Sequence, residues 1–306
     1  MDYDNLLDDD IKAFIKTSTS FYPEHREGLT IDDQRQSFTN LCNHFHPGRP
    51  DNIAVTDAVY GSVPTRHYLP EGGADAHIVY AHGGGFVAGD LDTHDDVTLG
   101  LVSATGFELT AIDYRLAPEH LAPAALDDCR AVLASILKST TKPVIIAGDS
   151  AGGYLSAMLA LEFGNQLAGQ VLIYPMLGGR MDQGSYIDHA HAPMLTTEQT
   201  AYYWEIYLNA PAPWDTETLP MTATDLSTVP PAVIIGAGCD PLLSDSPQYA
   251  EKLIASGVDV TLHILDGLPH GFLRARHSSR RAAQAFQHIT DGMTALIKRQ
   301  GSTPFK

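Results

Sequence analysis

The densest chemistry in this chain lies in Gly148-Asp149-Ser150-Ala151-Gly152, between the apolar run Val144 to Ala147 and the helical stretch Ala151 to Phe163. A serine at a tight strand-to-helix turn is pushed into a strained backbone conformation, so its neighbours two positions away must lack a Cβ. Its hydroxyl then stands at a helix N-terminus, where free N–H groups and the helix dipole favour developing negative charge. This is the setting of a nucleophile; the competing reading is a Gly-rich turn with a helix-capping serine. A nucleophilic serine needs a base, and the base needs an orienter. His270, in Leu268-Pro269-His270-Gly271-Phe272, follows the run Val258 to Leu265, and Asp240, in Gly238-Cys239-Asp240-Pro241-Leu242, follows the run Ala232 to Ile235. Ser150, Asp240 and His270, spaced by 90 and 30 residues, thus fall at three strand ends in the order nucleophile, acid, base.

A second signal precedes the serine by 68 residues: His82-Gly83-Gly84-Gly85-Phe86, after the run His77 to Ala81. A row of glycines lets backbone N–H groups approach a substrate oxygen, as stabilising an oxyanion requires. The stretch Gly83 to Ala88 also satisfies G-x-G-x-x-A, and Asp113 ends the next strand, as in a dinucleotide-binding unit. Against that reading, the motif runs into Gly89-Asp90-Leu91-Asp92 instead of opening a helix, Asp113 lies 30 residues beyond Gly83, and Ser150 is left unexplained.

The elements that must hold these residues follow from hydrophobic periodicity. Six compact apolar runs alternate with helices expected near 123–139, 151–163, 245–256 and 279–299. The runs are His77 to Ala81, Leu109 to Tyr114, Val144 to Ala147, Val171 to Tyr174, Ala232 to Ile235 and Val258 to Leu265. Buried strands alternating with helices mean a mostly parallel sheet covered on both faces. Ile53 to Tyr60 and Pro64 to Leu69, around Gly61-Ser62, read as a hairpin that starts the sheet. Residues 1–50 are expected to be helical, with Ile11, Phe14 and Ile15 on one face and Phe38, Leu41, Cys42 and Phe45 on another. The alternation lapses between Gly178 and Asp225, a segment with its own helix started by Thr196 or Thr197. An insertion of that length between core strands is commonly a lid or substrate-binding element.

These motifs, with Asp113-Tyr114-Arg115-Leu116-Ala117-Pro118-Glu119-His120 and His270-Gly271-Phe272, resemble the hormone-sensitive-lipase-like family of α/β-hydrolase esterases over residues 50–300. The resemblance implies an α/β-hydrolase fold: a mostly parallel central sheet flanked by helices, with a helical cap. The core would be residues 51–177 and 226–306, and the cap residues 1–50 and 178–225. It implies a cofactor-free serine carboxylesterase for short-to-medium acyl esters. Ser150, Asp240 and His270 would be catalytic, and Ala151 with two of Gly83, Gly84 and Gly85 would form the oxyanion hole. Arg115 and Glu119 would brace the sheet end. Asp245, five residues after Asp240 where the family often has an Asp four after, is left as a weaker alternative acid. Phe86, Tyr203 and Trp204 are expected at the substrate pocket, with plain packing as the competing reading. A hormone receptor on the same fold would have lost the histidine, which His270 argues against.

Composition limits the remaining classes. Nineteen Lys and Arg against 37 Asp and Glu give a formal charge of −18, the wrong sign for tracking a nucleic-acid backbone or adsorbing stably to anionic lipid. With no apolar run long enough to span a bilayer and an acidic N-terminus, the expected address is cytoplasmic, the partner a small ester, and a homodimer is left open. Cys42, Cys129 and Cys239 fit neither a disulfide framework nor a CxxC motif and are read as reduced thiols. The stretch Asp90, Asp92, His94, Asp95, Asp96 invites a metal reading but lacks the Gly and Glu of a calcium loop. His44 and His46 are expected at the surface.

Overall fold

Each core strand is short, rich in β-branched and aliphatic residues and bounded by Gly, Pro or Asp, so burying both faces is the stable outcome. The computed structural model describes residues 1–23, 28–211 and 219–300. In chain order its elements are α1 (Tyr3–Leu6), α2 (Asp9–Thr19), α3 (Ile31–Phe45), β1 (Ile53–Tyr60), β2 (Val63–Pro70), β3 (His77–Ala81) and α4 (Asp95–Thr105). There follow β4 (Glu108–Ile112), α5 (Ala124–Ser139), β5 (Val144–Asp149), α6 (Ala151–Phe163) and β6 (Gly169–Ile173). The chain continues with α7 (Ser185–Asp188), α8 (Thr197–Leu208), β7 (Ala232–Cys239), α9 (Asp245–Ala255), β8 (Val260–Pro269) and α10 (Arg280–Gln300).

The strands form one sheet in the order β1-β2-β4-β3-β5-β6-β7-β8. The β1–β2 and β2–β4 pairings are antiparallel and the others parallel, so the expected mostly parallel sheet with a leading hairpin is what forms. Period-2 alternation sends Ile78, Tyr80, Ile145 and Ala147 to one core and Val79, Ala81, Val144 and Ile146 to the other. Each Val, Leu or Ile buried in these cores contributes roughly 1.5–3 kcal/mol.

One stretch departs from the sequence reading. The acidic segment after the glycine row opens helix α4, with Asp95 and Asp96 in its first turn, where the helix dipole favours negative charge. Arg49, Arg66, His46 and Tyr68 all bond Asp95, while Arg276 and His277 bond Asp96. The carboxylates are spent on internal cations, and no metal-binding cluster occurs among the described residues. His46 is therefore not a free surface residue, although His44 is exposed. Dinucleotide binding loses its basis as well, since the helix begins at Asp95 and not at the glycine row.

The insertion holds α7 and α8, and α8 starts at Thr196 through a capping box with Gln199. All three cysteines are buried and unbridged. No described helix is long and apolar enough to cross a membrane.

Candidate active site

Strand β5 ends in the turn that presents Ser150, whose φ of 54° and ψ of −118° lie outside the ordinary regions for a side-chain-bearing residue. The flanking glycines permit this. A Cβ on Gly152 would lie 2.0 Å from the carbonyl oxygen of Ala81, and one on Gly148 would lie 2.4 Å from that of Gly152. Strain at Ser150 is held by the backbone: its N–H donates to Ile173 O, and its carbonyl accepts from Met176 N–H.

The carboxyl ends of β7 and β8 supply the other two groups. Ser150 Oγ is 2.9 Å from His270 Nε2, and His270 Nδ1 is 2.7 Å from Asp240 Oδ2. Asp240 has no exposed surface, and its Oδ1 accepts the Leu242 N–H at 2.9 Å, which fixes the carboxylate plane. The imidazole rests against the Tyr174 ring, with centroids 4.7 Å apart. With the Nδ1 proton committed to Asp240, Nε2 is free to accept from the serine. The structure thus brings together the three residues singled out in the sequence.

Asp245 does not join them. It is buried 68 residues along the chain from Leu177, yet accepts the N–H groups of Leu177 and Gly179 and the Tyr186 hydroxyl. Burial pushes its carboxyl up to about 7, outweighing those hydrogen bonds.

The glycine row folds over the nucleophile, and its donors divide. The Gly83 N–H is already given to Asp149 Oδ1 at 2.9 Å, which removes Gly83 from the expected oxyanion set. Among the described residues no acceptor takes the N–H of Gly84 or Gly85. Ala151 opens α6, where the first N–H groups have no intrahelical acceptor.

Asp149, the residue before the nucleophile, ties this loop to the core. Its Oδ1 also accepts from Tyr80 OH at 2.8 Å, Tyr174 OH lies 3.4 Å from Oδ2, and His94 Nε2 lies 3.5 Å from Oδ1. Burial opposes its charge, but the His94 ring, Arg274 and the Tyr80 hydroxyl outweigh burial and hold the carboxyl below the usual range. His82 is stacked between Tyr114 and His94, and burial lowers its pKa to about 4. The sequence reading gives Asp149, His94 and Arg274 no role at this site, because their partners are far away in the chain.

Ser150, His270, Gly84 and Gly85 line a cavity of about 630 Å³ roofed by Phe14 of α2, Phe38 and Leu41 of α3, and Tyr203 of α8. Tyr203 sits directly on the glycine row, where a Cβ on Gly85 would lie 2.5 Å from its ring. Phe86 and Trp204 are not at the cavity, contrary to expectation. Both are fully buried behind it, with Phe86 stacked 3.9 Å from Tyr207 and Trp204 edge-on to Tyr154. The helix period explains Trp204: it follows Tyr203 by 100°, which turns it from cavity to core. Arg115 braces α5 through Asp128, whereas Glu119 ties the loop to Arg35 of α3 and not to the sheet end.

This arrangement defines an α/β-hydrolase with a serine nucleophile candidate at the elbow after β5. A family model described as alpha/beta hydrolase fold matches residues 78–274. The carboxylic ester hydrolase LipN of Mycobacterium tuberculosis is 32% identical, covering 96% of this chain and 84% of LipN. Esterase LipI of the same organism is 37% identical over 80% of this chain and 83% of its own. A crystal structure of an esterase from the bacterial hormone-sensitive lipase family superposes with a TM-score of 0.85 at 26% identity, covering 95% of this chain and 99% of that one. The chain belongs to the alpha/beta hydrolase family, in its hormone-sensitive-lipase-like group.

Proposed function

We propose that this chain is a serine carboxylesterase for short-to-medium acyl esters. The observation that carries the reading is the unbroken chain Ser150 Oγ, His270 Nε2, His270 Nδ1, Asp240 Oδ2, at 2.9 and 2.7 Å, opening on a mostly apolar cavity. Ser150 Oγ attacks the ester carbonyl while His270 takes its proton, and Asp240 holds the imidazole and stabilises the imidazolium. The carbonyl oxygen, now an oxyanion, accepts N–H groups from Gly84, Gly85 and Ala151. His270 then protonates the departing alcohol. Water, deprotonated by the same imidazole, releases the acid and restores the serine. Each step uses groups of this chain and water alone. We assign α2, α3 and α8 as the cap, because their side chains close the cavity that the core leaves open.

A fluorophosphonate tests the reading. Mass spectrometry of the treated protein is expected to place the adduct on Ser150, and Ser150→Ala to abolish both labelling and hydrolysis of 4-nitrophenyl butyrate. An adduct elsewhere, with Ser150→Ala still active, overturns it.

A further inference from the structure

The cavity over Ser150 is mostly apolar, yet its wall contains a buried cation that the reaction above does not use. Arg274 lies in the turn Phe272–His277 just past His270, is 5% exposed, and lines the same cavity as Ser150 and His270. Arginine keeps its charge under all conditions a protein survives, and a charge so buried is normally matched by a carboxylate. Arg274 has no such match: no Asp or Glu oxygen comes within 4.0 Å of its guanidinium among the described residues. The neighbouring Arg276, by contrast, is bound to Asp96 by both terminal nitrogens.

What Arg274 does touch is weak. Its Nη2 donates to Thr93 O at 3.1 Å and lies 3.4 Å from His94 Nε2, the Phe38 ring stacks 5.2 Å from Cζ, and the Cys42 thiol lies beside it. Its Nε and Nη1 have no oxygen or nitrogen partner among the described residues, and neither is sealed within apolar packing. With Arg274 in the cavity wall, those donors are the ones left for a ligand there. The other charged groups facing that space do not bond them, although Asp149 attracts the guanidinium from beyond 4.0 Å. Asp149 spends its oxygens on Tyr80, Gly83 N–H and Tyr174, and Glu198 is exposed at the rim.

We infer that Arg274 receives a carboxylate carried by the substrate, so that the preferred esters bear an acid group away from the bond that breaks. The inference rests on the esterase reading and narrows its substrate class. A guanidinium N–H left without a protein partner, Nε or Nη1, matches a carboxylate oxygen through a charge-assisted hydrogen bond, which mostly apolar surroundings strengthen. The overall charge of −18 repels anions at long range. Selectivity must therefore come from this contact, not from steering.

The test compares paired substrates at physiological ionic strength. On the acyl side, 4-nitrophenyl half-esters of dicarboxylic acids from succinic to suberic are set against the same chains ending in a primary amide. On the alcohol side, butyrate esters of ω-hydroxy acids are set against those of the ω-hydroxy amides. In one series, at its best length, kcat/KM for the acid is expected to exceed that for the amide on the order of 30-fold, the low end for a desolvated charge pair. Arg274→Met is expected to collapse that ratio to one or below, and Arg274→Lys to restore part of it. If Arg274→Met does not fold, the wild-type ratio still decides. Amides matching or beating acids in both series at every length, while 4-nitrophenyl butyrate is turned over, overturns the inference and leaves the esterase reading intact. If instead no ester is hydrolysed and the fluorophosphonate misses Ser150, that reading is what fails. Calorimetric titration with adipamate against adipamide then reads the carboxylate preference without turnover, and equal affinity or no binding overturns it.

Discussion

Removing the Asp149 carboxylate separates what the residue before the nucleophile does for stability from what it does for the oxyanion loop. Its Oδ1 holds two donors, the Tyr80 hydroxyl at 2.8 Å and the Gly83 N–H at 2.9 Å, and the group is buried. In Asp149→Ala both donors are orphaned, at roughly 1–3 kcal/mol each, so a loss of about 2–6 kcal/mol in folding stability is expected. The kinetic effect is indirect, because Gly83 is not itself a proposed oxyanion donor. Its N–H anchors the residue immediately before Gly84 and Gly85, and deleting a true oxyanion donor costs about 100- to 1000-fold in kcat. A loosened pair of donors is expected to cost less, about 10- to 100-fold in kcat with little change in KM. Asp149→Asn keeps a carbonyl oxygen where Oδ1 was, and is expected to retain most of the kcat that Asp149→Ala loses. The assay is hydrolysis of 4-nitrophenyl butyrate well below the melting temperature of each variant, with thermal unfolding followed by circular dichroism. An Asp149→Ala enzyme that melts early yet keeps kcat within about threefold of wild type would refute the link from this carboxylate to the oxyanion loop.

Two further perturbations test the cavity and the core beside it. Tyr203→Ala is expected to raise kcat/KM for longer acyl esters relative to acetate, with each methylene worth roughly 1–3 kcal/mol in a fitted pocket. A length profile unchanged from wild type would remove Tyr203 from the pocket wall. Trp204→Ala should instead lower stability by about 3–5 kcal/mol and leave that profile alone, because the indole is buried behind the cavity. Asp245 gives a pH test. Its folded carboxyl is pushed up to about 7 from an unfolded value near 3.9. The unfolded chain therefore ionises first, and stability falls as pH rises from about 4 to about 7, by up to about 4 kcal/mol. Asp245→Asn, whose carbonyl can still accept from Leu177 and Gly179, should melt higher than wild type at about pH 8 and gain nothing near pH 4. An equal effect at both pH values would show that the carboxyl does not titrate in that window.

Residues whose role is set by near neighbours were legible in the sequence, and those set by distant partners were not. Strands β3, β5 and β6 could be read because short β-branched runs between turn residues need no tertiary information beyond two covered faces. Ser150 could be read because its two glycines solve a local steric problem, visible as the 2.0 Å approach of Ala81 O to a Cβ on Gly152. Helix α4 escapes a sequence reading that groups its first-turn Asp95 and Asp96 with Asp90, Asp92 and His94 as one acidic stretch. It forms because Arg49, Arg66 and Arg276 arrive from elsewhere to neutralise them. Periodicity carries no record of such partners.

The same division runs through the site itself. Phe86, Tyr203 and Trp204 are chemically alike in the sequence, yet the fold uses one as a wall and two as packing. Which is which follows from a helix phase of 100° per residue and from where Tyr207 and Tyr154 lie. Gly83, Gly84 and Gly85 are likewise indistinguishable as letters. They become distinct once Asp149 takes the first N–H, while the next two have no acceptor among the described residues. That selection explains why a buried, strained turn can carry an ionised aspartate next to the nucleophile. The carboxylate is stabilised by the His94 ring, by Arg274 and by the Tyr80 hydroxyl, all fixed in the core. Its hold on Gly83 then converts the rigidity of the sheet into the position of the oxyanion loop.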